Sequence, residues 1–467
     1  MTEHILFVTG KLAEKSLKRV LASIEHREFN YEIRVLGVSV AALLTAAMIR
    51  RRVGTVECFD RVILPGRCRG DLDGLAAHCG VPFERGPEEL KDLPIFFGAQ
   101  VHPRDVGPTD VTLFAEIVDT PQLKFDAIVH RARQFSADGA DVIDLGCLPD
   151  TPFEHLEDVI RNLKEEGFKV SIDSLDTQEL QRGIAAGADY VFSLTEKTLD
   201  LVAEHACAPI LIAEDPTDLD SLCRTIETFA KLDRPFYADP VLDPIHHGFT
   251  ISLSRYKTLR DRFPDIEIVM GIGNLSELTH TDSLGLNTLL MGVVSELRVS
   301  GVLTTEVSAH CRSVIRELDR ARRVMFAARA DNTPPRHIDE TLLALHERHP
   351  FPYSTEEIAE FAADVADDNF RIQVNADGVH VYNRKGLHVA QDPYELYPTL
   401  EVDDDAPHAF YLGLELARAQ IAWQLGKRYV QDASLDWGCI LPQAIDDKLE
   451  YASERSTLKA RRQRRSR

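Results

Sequence analysis

Four apolar runs in the middle of the chain each end in a polar side chain. The polar residues are Asp144, Asp173, Asp239 and Asn274. Short apolar runs that end in Asp, Asn or Gly, with helical stretches between them, are typical of parallel strands. In a barrel of such strands the chemistry takes place where the strands end. We therefore predict that these four side chains converge, although an Asp after a strand can also simply cap the next helix.

Carboxylates and an amide in a deep apolar mouth suit a neutral heterocycle with a donor-rich edge. A carboxylate can accept two N–H groups from a guanidine-like edge, such as a pterin presents, and this pairing compensates for burial of the charge. We assign this role to Asp239. Asn274 is placed to contact the rest of the ring edge because its amide both donates and accepts hydrogen bonds.

Strand and helix patterns alternate around these residues and predict an α/β fold with a central (β/α)8 barrel. The first predicted strand begins at residue 112, and the eighth is predicted at residues 288–291. A helix predicted at residues 307–329 has an apolar face that suits packing on the barrel or on a second subunit of a homodimer. The predicted domains are a small doubly wound α/β domain at 1–107, the barrel at 108–330, an α+β domain at 331–458 and a disordered basic end at 459–467.

Two loops of the N-terminal domain follow predicted strands, after Thr9 and after Leu64. Doubly wound sheets bind ligands at such places. Glycine-containing turns there could hold phosphate through free N–H groups, but Thr9-Gly10-Lys11 lacks the spacing of the dinucleotide and P-loop motifs. Arg67, in the second loop, is either an anion contact or a solvated side chain.

The bulk composition excludes several classes of protein. A formal net charge of -22 argues against nucleic-acid binding by the body of the chain. The basic end at 459–467 is interpreted as a solvated segment or as a contact for an acidic partner. The eight cysteines contain no Cys-x-x-Cys pair, so neither a disulfide framework nor a zinc ribbon is expected. No leader-like or membrane-length apolar stretch is present, which predicts a cytoplasmic protein without membrane contact.

The apolar runs, taken in order, resemble the strand motifs of the pterin-binding barrel family, which includes dihydropteroate synthase. The resemblance covers roughly residues 110–300. The last motif is more similar to the methyltetrahydrofolate:corrinoid methyltransferase branch, which has an Asn at this position. The motifs are Ala140-Asp141-Val142-Ile143-Asp144-Leu145-Gly146, Ser171-Ile172-Asp173-Ser174, Gly187-Ala188-Asp189-Tyr190, Ala238-Asp239-Pro240 and Gly271-Ile272-Gly273-Asn274.

The resemblance implies that Asp173 and Asp239 hold the pterin. Other positions depart from the synthase pattern. Ser193 stands where the synthases have an Asn at the end of strand four, and Glu116 stands where a first-strand Asn helps to hold metal and pyrophosphate. The usual lysine of strand seven is missing, and Arg298, just beyond the predicted eighth strand, is a candidate to supply the positive charge.

The domain layout is similar to that of dihydropteroate synthase-like proteins of archaea and methylotrophic bacteria, which are associated with making tetrahydromethanopterin. The implied reaction joins a dihydropterin-methyl diphosphate to an arylamine, with Mg²⁺ accompanying the diphosphate and no tightly bound cofactor. Asp144 takes a supporting role in this pocket, and no catalytic residue is assigned. Two other hypotheses stay open: methyl transfer from a methyl-tetrahydropterin to a corrinoid protein, and a non-catalytic pterin-binding subunit.

Overall fold

The computed structural model describes residues 2–24, 29–87, 90–97, 106–336 and 338–441, and the predicted basic end lies outside these residues. The chain divides into two compact units. One joins the chain up to residue 102 with residues 343–437, and the other comprises residues 103–342 with residues 438–442. The N- and C-terminal segments therefore share a unit, while the barrel forms its own. The predicted boundaries at 107, 330 and 458 stay predictions.

The N-terminal segment is a doubly wound parallel sheet. Its first strand is a continuous apolar run because both faces are covered: Ile5 and Phe7 belong to one buried cluster, and Leu6 and Val8 to another. The strand order is β2-β1-β3-β4. The elements are β1 (Glu3–Thr9), α1 (Glu14–Ala22), β2 (Phe29–Val35), α2 (Ala46–Arg52), β3 (Arg61–Leu64), α3 (Leu72–Cys79), β4 (Phe83–Arg85) and α4 (Leu93–Phe96).

Eight parallel strands close into a barrel in the second unit, which confirms the predicted fold class. The strands are β5 (Thr112–Ile117), β6 (Val142–Gly146), β7 (Lys169–Asp173), β8 (Tyr190–Leu194), β9 (Ala208–Leu211), β10 (Tyr237–Ala238), β11 (Glu267–Gly271) and β12 (Gly301–Thr305). The helices are α5 (Phe125–Ala137), α6 (Leu156–Glu165), α7 (Thr177–Ala186), α8 (Leu219–Phe229), α9 (Phe249–Arg262), α10 (Gly273–Ser276), α11 (Ser283–Glu296) and α12 (Val314–Ala330).

The predicted eighth strand is wrong. Residues 288–291 lie inside helix α11, and the strand that closes the barrel is β12. A short apolar run cannot be assigned to a buried strand or a buried helix from its pattern alone. Because Arg298 precedes β12, it lies at the amino end of that strand. It is therefore remote from the mouth, and its assignment as the missing positive charge does not hold.

Side chains alternate along the strands between the helical layer and the barrel interior. At the lower level the interior is filled by aromatic rings: Phe114 makes edge-on contacts with Tyr190, Phe192 and Tyr237, at centroid distances of 5.2, 5.4 and 5.9 Å. Two residues further along β5 the inward position is Glu116. The barrel thus has an apolar floor, and the carboxylates occupy the level above it.

Helix α12 packs within its own unit. Val314, Leu318 and Ala321 are buried in the same cluster as the barrel strands, so the apolar face is used by the barrel, and the homodimer stays a prediction. The described part of the C-terminal segment is a three-stranded antiparallel sheet with three α-helices. Its elements are α13 (Thr355–Ala363), β13 (Arg371–Asn375), β14 (Gly378–Asn383), β15 (Gly386–Ala390), α14 (Pro393–Leu400) and α15 (Ala406–Leu425). Among the residues described above, no helix is long and apolar enough to cross a membrane.

Candidate functional site

Three carboxylates lie on three neighbouring strands at the mouth of the barrel. The strand register sets Glu116 of β5 beside Asp144 of β6, and Gly146 of β6 beside Asp173 of β7. Asp144 and Asp173 do not cap the helices that follow them, since α6 begins after His155 and α7 is capped by Asp176. The convergence predicted from the strand ends is therefore present on this side of the mouth.

Asp144 is the most deeply buried of the three carboxylates. Its side chain is fully enclosed, Oδ1 accepts a 2.6 Å hydrogen bond from the Ser171 hydroxyl, and Oδ2 has no partner among the described residues. Burial raises the pKa of Asp144 well above its usual range, and the nearby charges of Asp173 and Glu116 raise it further. Burial and the neighbouring carboxylates therefore both favour the protonated form of Asp144.

Glu116 reaches the mouth because the adjacent position on β6 has no side chain. A Cβ added at Gly146 would lie 2.3 Å from Glu116 Oε1 and 3.1 Å from its Cδ. Burial, followed by the charges of Asp173 and Asp119, raises the pKa of Glu116 to about 7. Glu116 therefore both donates and accepts protons near neutrality, which the Asn of the synthase pattern cannot do.

We expect Gly146→Ala to displace the Glu116 carboxylate and to lower the free energy of unfolding of the barrel unit by about 1–3 kcal/mol, the usual range for overpacking. Equilibrium denaturation measures this change. Gly271→Ala is the matched control at the end of β11, because a Cβ there would meet its nearest atom, Asn274 Nδ2, at 3.9 Å. Equal destabilisation by both substitutions would contradict the role given to Gly146.

The pH dependence of stability tests the protonation of Glu116. Between its ordinary pKa of 4.5 and the folded-state value of about 7, the folded protein keeps a proton that the unfolded chain has lost. The free energy of unfolding therefore falls as the pH rises through this window. We expect Glu116→Gln to remove a decrease of roughly 2 kcal/mol between pH 4.5 and 7. Glu165→Gln, at an exposed position of α6, should leave the slope unchanged; an unaltered slope in Glu116→Gln would contradict the prediction.

Ser193 points into the mouth because of an irregularity in β8. The pairing of β8 with β9 shifts register between Val191 and Leu194, and Ser193 has a φ of 64°. Such a bulge redirects one side chain. The Ser193 hydroxyl donates a 2.7 Å hydrogen bond to Asp173 Oδ1. Burial raises the pKa of Asp173, and this hydrogen bond opposes the increase.

Asp239 follows β10 and is held by two donors. Its Oδ1 accepts hydrogen bonds from the Tyr256 hydroxyl and the Val241 N–H, each at 2.7 Å. Among the described residues both contacts use the same oxygen, so Oδ2 is the atom that can receive a ligand. Burial raises the pKa of Asp239 to about 6, with Tyr256 and Val241 opposing the increase. Asp239 is thus mostly ionised at pH 7, as a partner for ring N–H donors should be.

The loop after Asp239 is fixed in a strained conformation. Val241 has a φ of 62°, which is unfavourable for a β-branched residue. The Arg255 guanidinium donates to the carbonyls of Pro240 and Val241, at 3.0 and 2.7 Å. Asn274, exposed after β11, donates its amide N–H to the Leu242 carbonyl at 2.9 Å. Asn274 therefore supports the loop that orients Asp239, and its amide oxygen is the group left for a ligand.

The structure thus brings together Glu116, Asp144, Asp173 and Ser193, with Asp239 near enough to Asp173 for their charges to interact. Arg67 is in the other compact unit, where it donates to the Gln431 carbonyl.

Sequence reasoning missed three contributors: Ser171, Gly146 and Tyr256. The sequence contains a local signal for Ser171 and Gly146, because every second residue of a strand faces the barrel interior. Gly146, for example, is two residues after Asp144. Tyr256 is 17 residues from the carboxylate that it contacts, and no local pattern indicates such a contact.

No group of three His, Cys, Asp or Glu side chains in the described part of the chain is arranged to hold a metal ion. If the substrate carries a diphosphate, Mg²⁺ would be bound by that diphosphate, since an ion held by substrate phosphates needs only one or two carboxylates from the protein.

Two stretches of the chain match protein families. Residues 117–239 match the family described as "Pterin binding enzyme", which confirms the predicted resemblance to the pterin-binding barrels. Residues 3–88 match a family of unknown function, DUF6513. An uncharacterized protein of Methanocaldococcus jannaschii is 25% identical over 522 residues, covering 92% of this chain and 98% of the relative.

Solved structures with similar barrels include two dihydropteroate synthases. The Yersinia pestis enzyme with a pterine-sulfa conjugate is 14% identical, covers 47% of this chain and 94% of its own, and has a TM-score of 0.39. The Burkholderia cenocepacia enzyme complexed with 7,8-dihydropteroate is 18% identical, covers 48% of this chain and 92% of its own, and has a TM-score of 0.38.

Proposed function

We propose that the barrel is a dihydropteroate synthase-like transferase that condenses a dihydropterin-methyl diphosphate with an arylamine, in the biosynthesis of a tetrahydromethanopterin- or folate-type one-carbon carrier. The observation that carries the proposal is a pair of carboxylates at strand ends at one mouth, the half-buried Asp173 and the buried Asp239. Asp239 Oδ2 accepts the guanidine-like N–H edge of the pterin ring. Glu116, whose pKa is raised to about 7, complements it, because its protonated form can donate to a ring acceptor, and the enclosed Asp144 supports the pocket.

The charge of the mouth favours the chemical step. When diphosphate leaves the exocyclic methylene carbon, positive charge develops on that carbon and on the ring. Preoriented carboxylates stabilise such charge better in the transition state than in the ground state. The arylamine attacks the methylene carbon, its lost proton is accepted by water or by Glu116, and diphosphate departs. The protein's main contribution is to orient the two reactants and to exclude water.

Diphosphate release tests the proposal. The purified chain is incubated with the dihydropterin-methyl diphosphate, Mg²⁺ and a panel of arylamines, including ribosylated aminobenzene phosphates and free aminobenzoate. We expect amine-dependent diphosphate release in the wild-type protein and none in Asp239→Asn. If calorimetry detects pterin binding and no amine gives release, the transferase proposal fails and a non-catalytic pterin-binding subunit takes its place.

A second candidate is methyl transfer from a methyl-tetrahydropterin to a corrinoid protein. It is favoured by Asn274, whose amide oxygen is at the end of β11 where the methyltransferase branch has an Asn. Methyl-tetrahydropterin mixed with free cob(I)alamin separates the two reactions. Formation of methylcobalamin, detected by its absorbance, would favour methyl transfer over condensation.

A further inference from the structure

A cavity of about 510 Å³ opens in the other compact unit, at the carboxyl ends of β1, β3 and β4. Its N-terminal wall includes Thr9, which ends β1, the residues from Leu64 to Arg67 after β3, and Gly86 after β4. The strand order places β2 on one side of β1 and β3 on the other. The crevice where strand order reverses in this way is where doubly wound sheets bind ligands.

The C-terminal segment forms the opposite wall. Tyr353, Phe361 and Tyr382 line it, and the rings of Tyr353 and Phe361 meet edge to face at 5.3 Å. An ion pair between Arg19 and Glu360, at 2.9 Å, connects the two walls. The Arg428 guanidinium also contacts Asp92 at 2.8 Å. Both walls therefore belong to one compact body, and the cavity is enclosed by two parts of the chain that are distant in sequence.

The N–H groups after β1 are not available to a phosphate. The Lys11 N–H donates to the Val38 carbonyl at 2.8 Å, and the Leu12 N–H donates to the Ser39 carbonyl at 3.1 Å. A phosphate site of the kind found at helix starts needs such groups unoccupied. The phosphate hypothesis for the Thr9 loop thus has no support in the geometry.

The arginines of the lining are neutralised by protein partners, including Arg67, which forms an ion pair with Asp432. Arg371 forms an ion pair with Asp367, and Arg19 forms one with Glu360. The Tyr382 hydroxyl donates to Gln373 Oε1 at 3.1 Å. A charged ligand would have to compete with these pairs, whereas an uncharged one would leave them intact. Most of the remaining wall is aliphatic and aromatic, and its other polar side chains are those of Thr9, Ser16, Ser23, Glu357, Asp364 and Gln373.

We propose that this cavity is a second ligand site, which binds an uncharged aromatic or heteroaromatic molecule. Its volume is within the range of about 300–1,000 Å³ that is usual for small-molecule sites. Edge-to-face contacts from Tyr353 and Phe361 suit a planar ring, because aromatic pairs prefer this arrangement. The inference goes beyond the function proposed for the barrel, and it does not depend on that function.

Fluorescence titration of the full chain with N-phenyl-1-naphthylamine, an uncharged aromatic probe, tests the proposal. We expect saturable binding of one probe molecule per chain. Ser16 lies on α1 and lines the cavity. Ser16→Phe should fill the space and weaken probe binding at least about 10-fold, which corresponds to about 1.4 kcal/mol. Ser16→Ala, which keeps the space, should remain within about twofold of the wild type, a difference of under 0.5 kcal/mol.

Lys15→Phe is the matched control, since it adds the same ring at an exposed position of the same helix, outside the cavity lining. Circular dichroism and thermal melting check that each variant is folded. If Ser16→Phe does not fold, Leu12→Phe replaces it under the same criterion, because Leu12 also lines the cavity. Absence of saturable binding in the wild type, or equal binding by the wild type and the folded filling variant, would overturn the proposal. Pterin binding to the barrel is measured in a separate experiment, so a negative result for one site does not affect the conclusion about the other.

Discussion

Asp239→Asn is expected to weaken dihydropterin binding roughly 100-fold or more, measured by isothermal titration calorimetry at pH 7.5. The substitution removes the negative charge that faces the ring N–H donors and places an NH₂ donor against one of them. Hydrogen bonds to a charged group contribute about 1.5–3 kcal/mol each, and about 2.7 kcal/mol corresponds to 100-fold in Kd. The fold should tolerate the change, because an amide oxygen can still accept from Tyr256 and Val241.

The same experiment has an internal pH test. Since burial raises the pKa of Asp239 to about 6, pterin affinity of the wild-type protein should fall as the pH is lowered through 6. The asparagine variant has no such group, so this part of the pH dependence should disappear. Asp215→Asn is the matched control, at an exposed position after β9. Wild-type affinity in Asp239→Asn would rule out Asp239 as the pterin carboxylate.

Arg322→Met should destabilise the barrel unit by about 2–4 kcal/mol, because it removes a buried guanidinium that donates to two backbone carbonyls, and hydrogen bonds to a charged group contribute about 1.5–3 kcal/mol each. Arg322 lies on α12 and is 2% exposed. Its guanidinium donates to the carbonyls of Val111 and Gly139, at 2.6 and 3.0 Å, and forms ion pairs with Asp141 and Asp319. It connects α12, the last α-helix of the barrel unit, to the segments that precede β5 and β6. Methionine would remove a donor from each of the two carbonyls and one ion-pair partner from each of the two aspartates.

Differential scanning calorimetry measures this loss, and we expect the melting temperature of the barrel unit to decrease by roughly 10 °C. Arg323→Met is the matched control on the same helix. Arg323 forms an ion pair with the same Asp319, but its side chain is 26% exposed, and a partly solvated pair contributes about 1 kcal/mol or less. Similar decreases in both variants would contradict the role assigned to burial of Arg322.

The eight-stranded barrel and the positions of its carboxylates could be predicted because both depend on short-range pattern. Side chains of a strand alternate between two faces, so Asp144 and Gly146 necessarily face the same side, and a polar residue at the end of an apolar run is placed at a strand end. The same reasoning fails where a pattern is ambiguous. Residues 288–291 form an apolar run that suits a strand, but α11 is buried along much of its length, and a buried helix produces the same run.

The protonation of the mouth depends on tertiary structure. Glu116 and Asp144 are neighbours only because β5 and β6 pair in one register, and their raised pKa values follow from burial and from the charge of Asp173. Ser193 reaches Asp173 through a bulge that no local sequence feature indicates. The sequence could therefore name carboxylates for the pocket, but not which of them carries a proton near pH 7.

The sequence itself determined that Asp144 and Asp173 lie on strands and that Asp239 and Asn274 follow strands, since the two-residue period of a strand and the polarity around its end are local properties. Tertiary structure decided what these side chains do: burial raises the pKa of Asp144 well above its usual range, Tyr256 holds Asp239, and Asn274 supports the loop that follows Asp239. Tertiary structure also forms the cavity of the other unit, because the walls of that cavity are more than 250 residues apart in the chain. Burial, desolvation and contact between distant segments arise only when the chain is folded, and no local pattern encodes them.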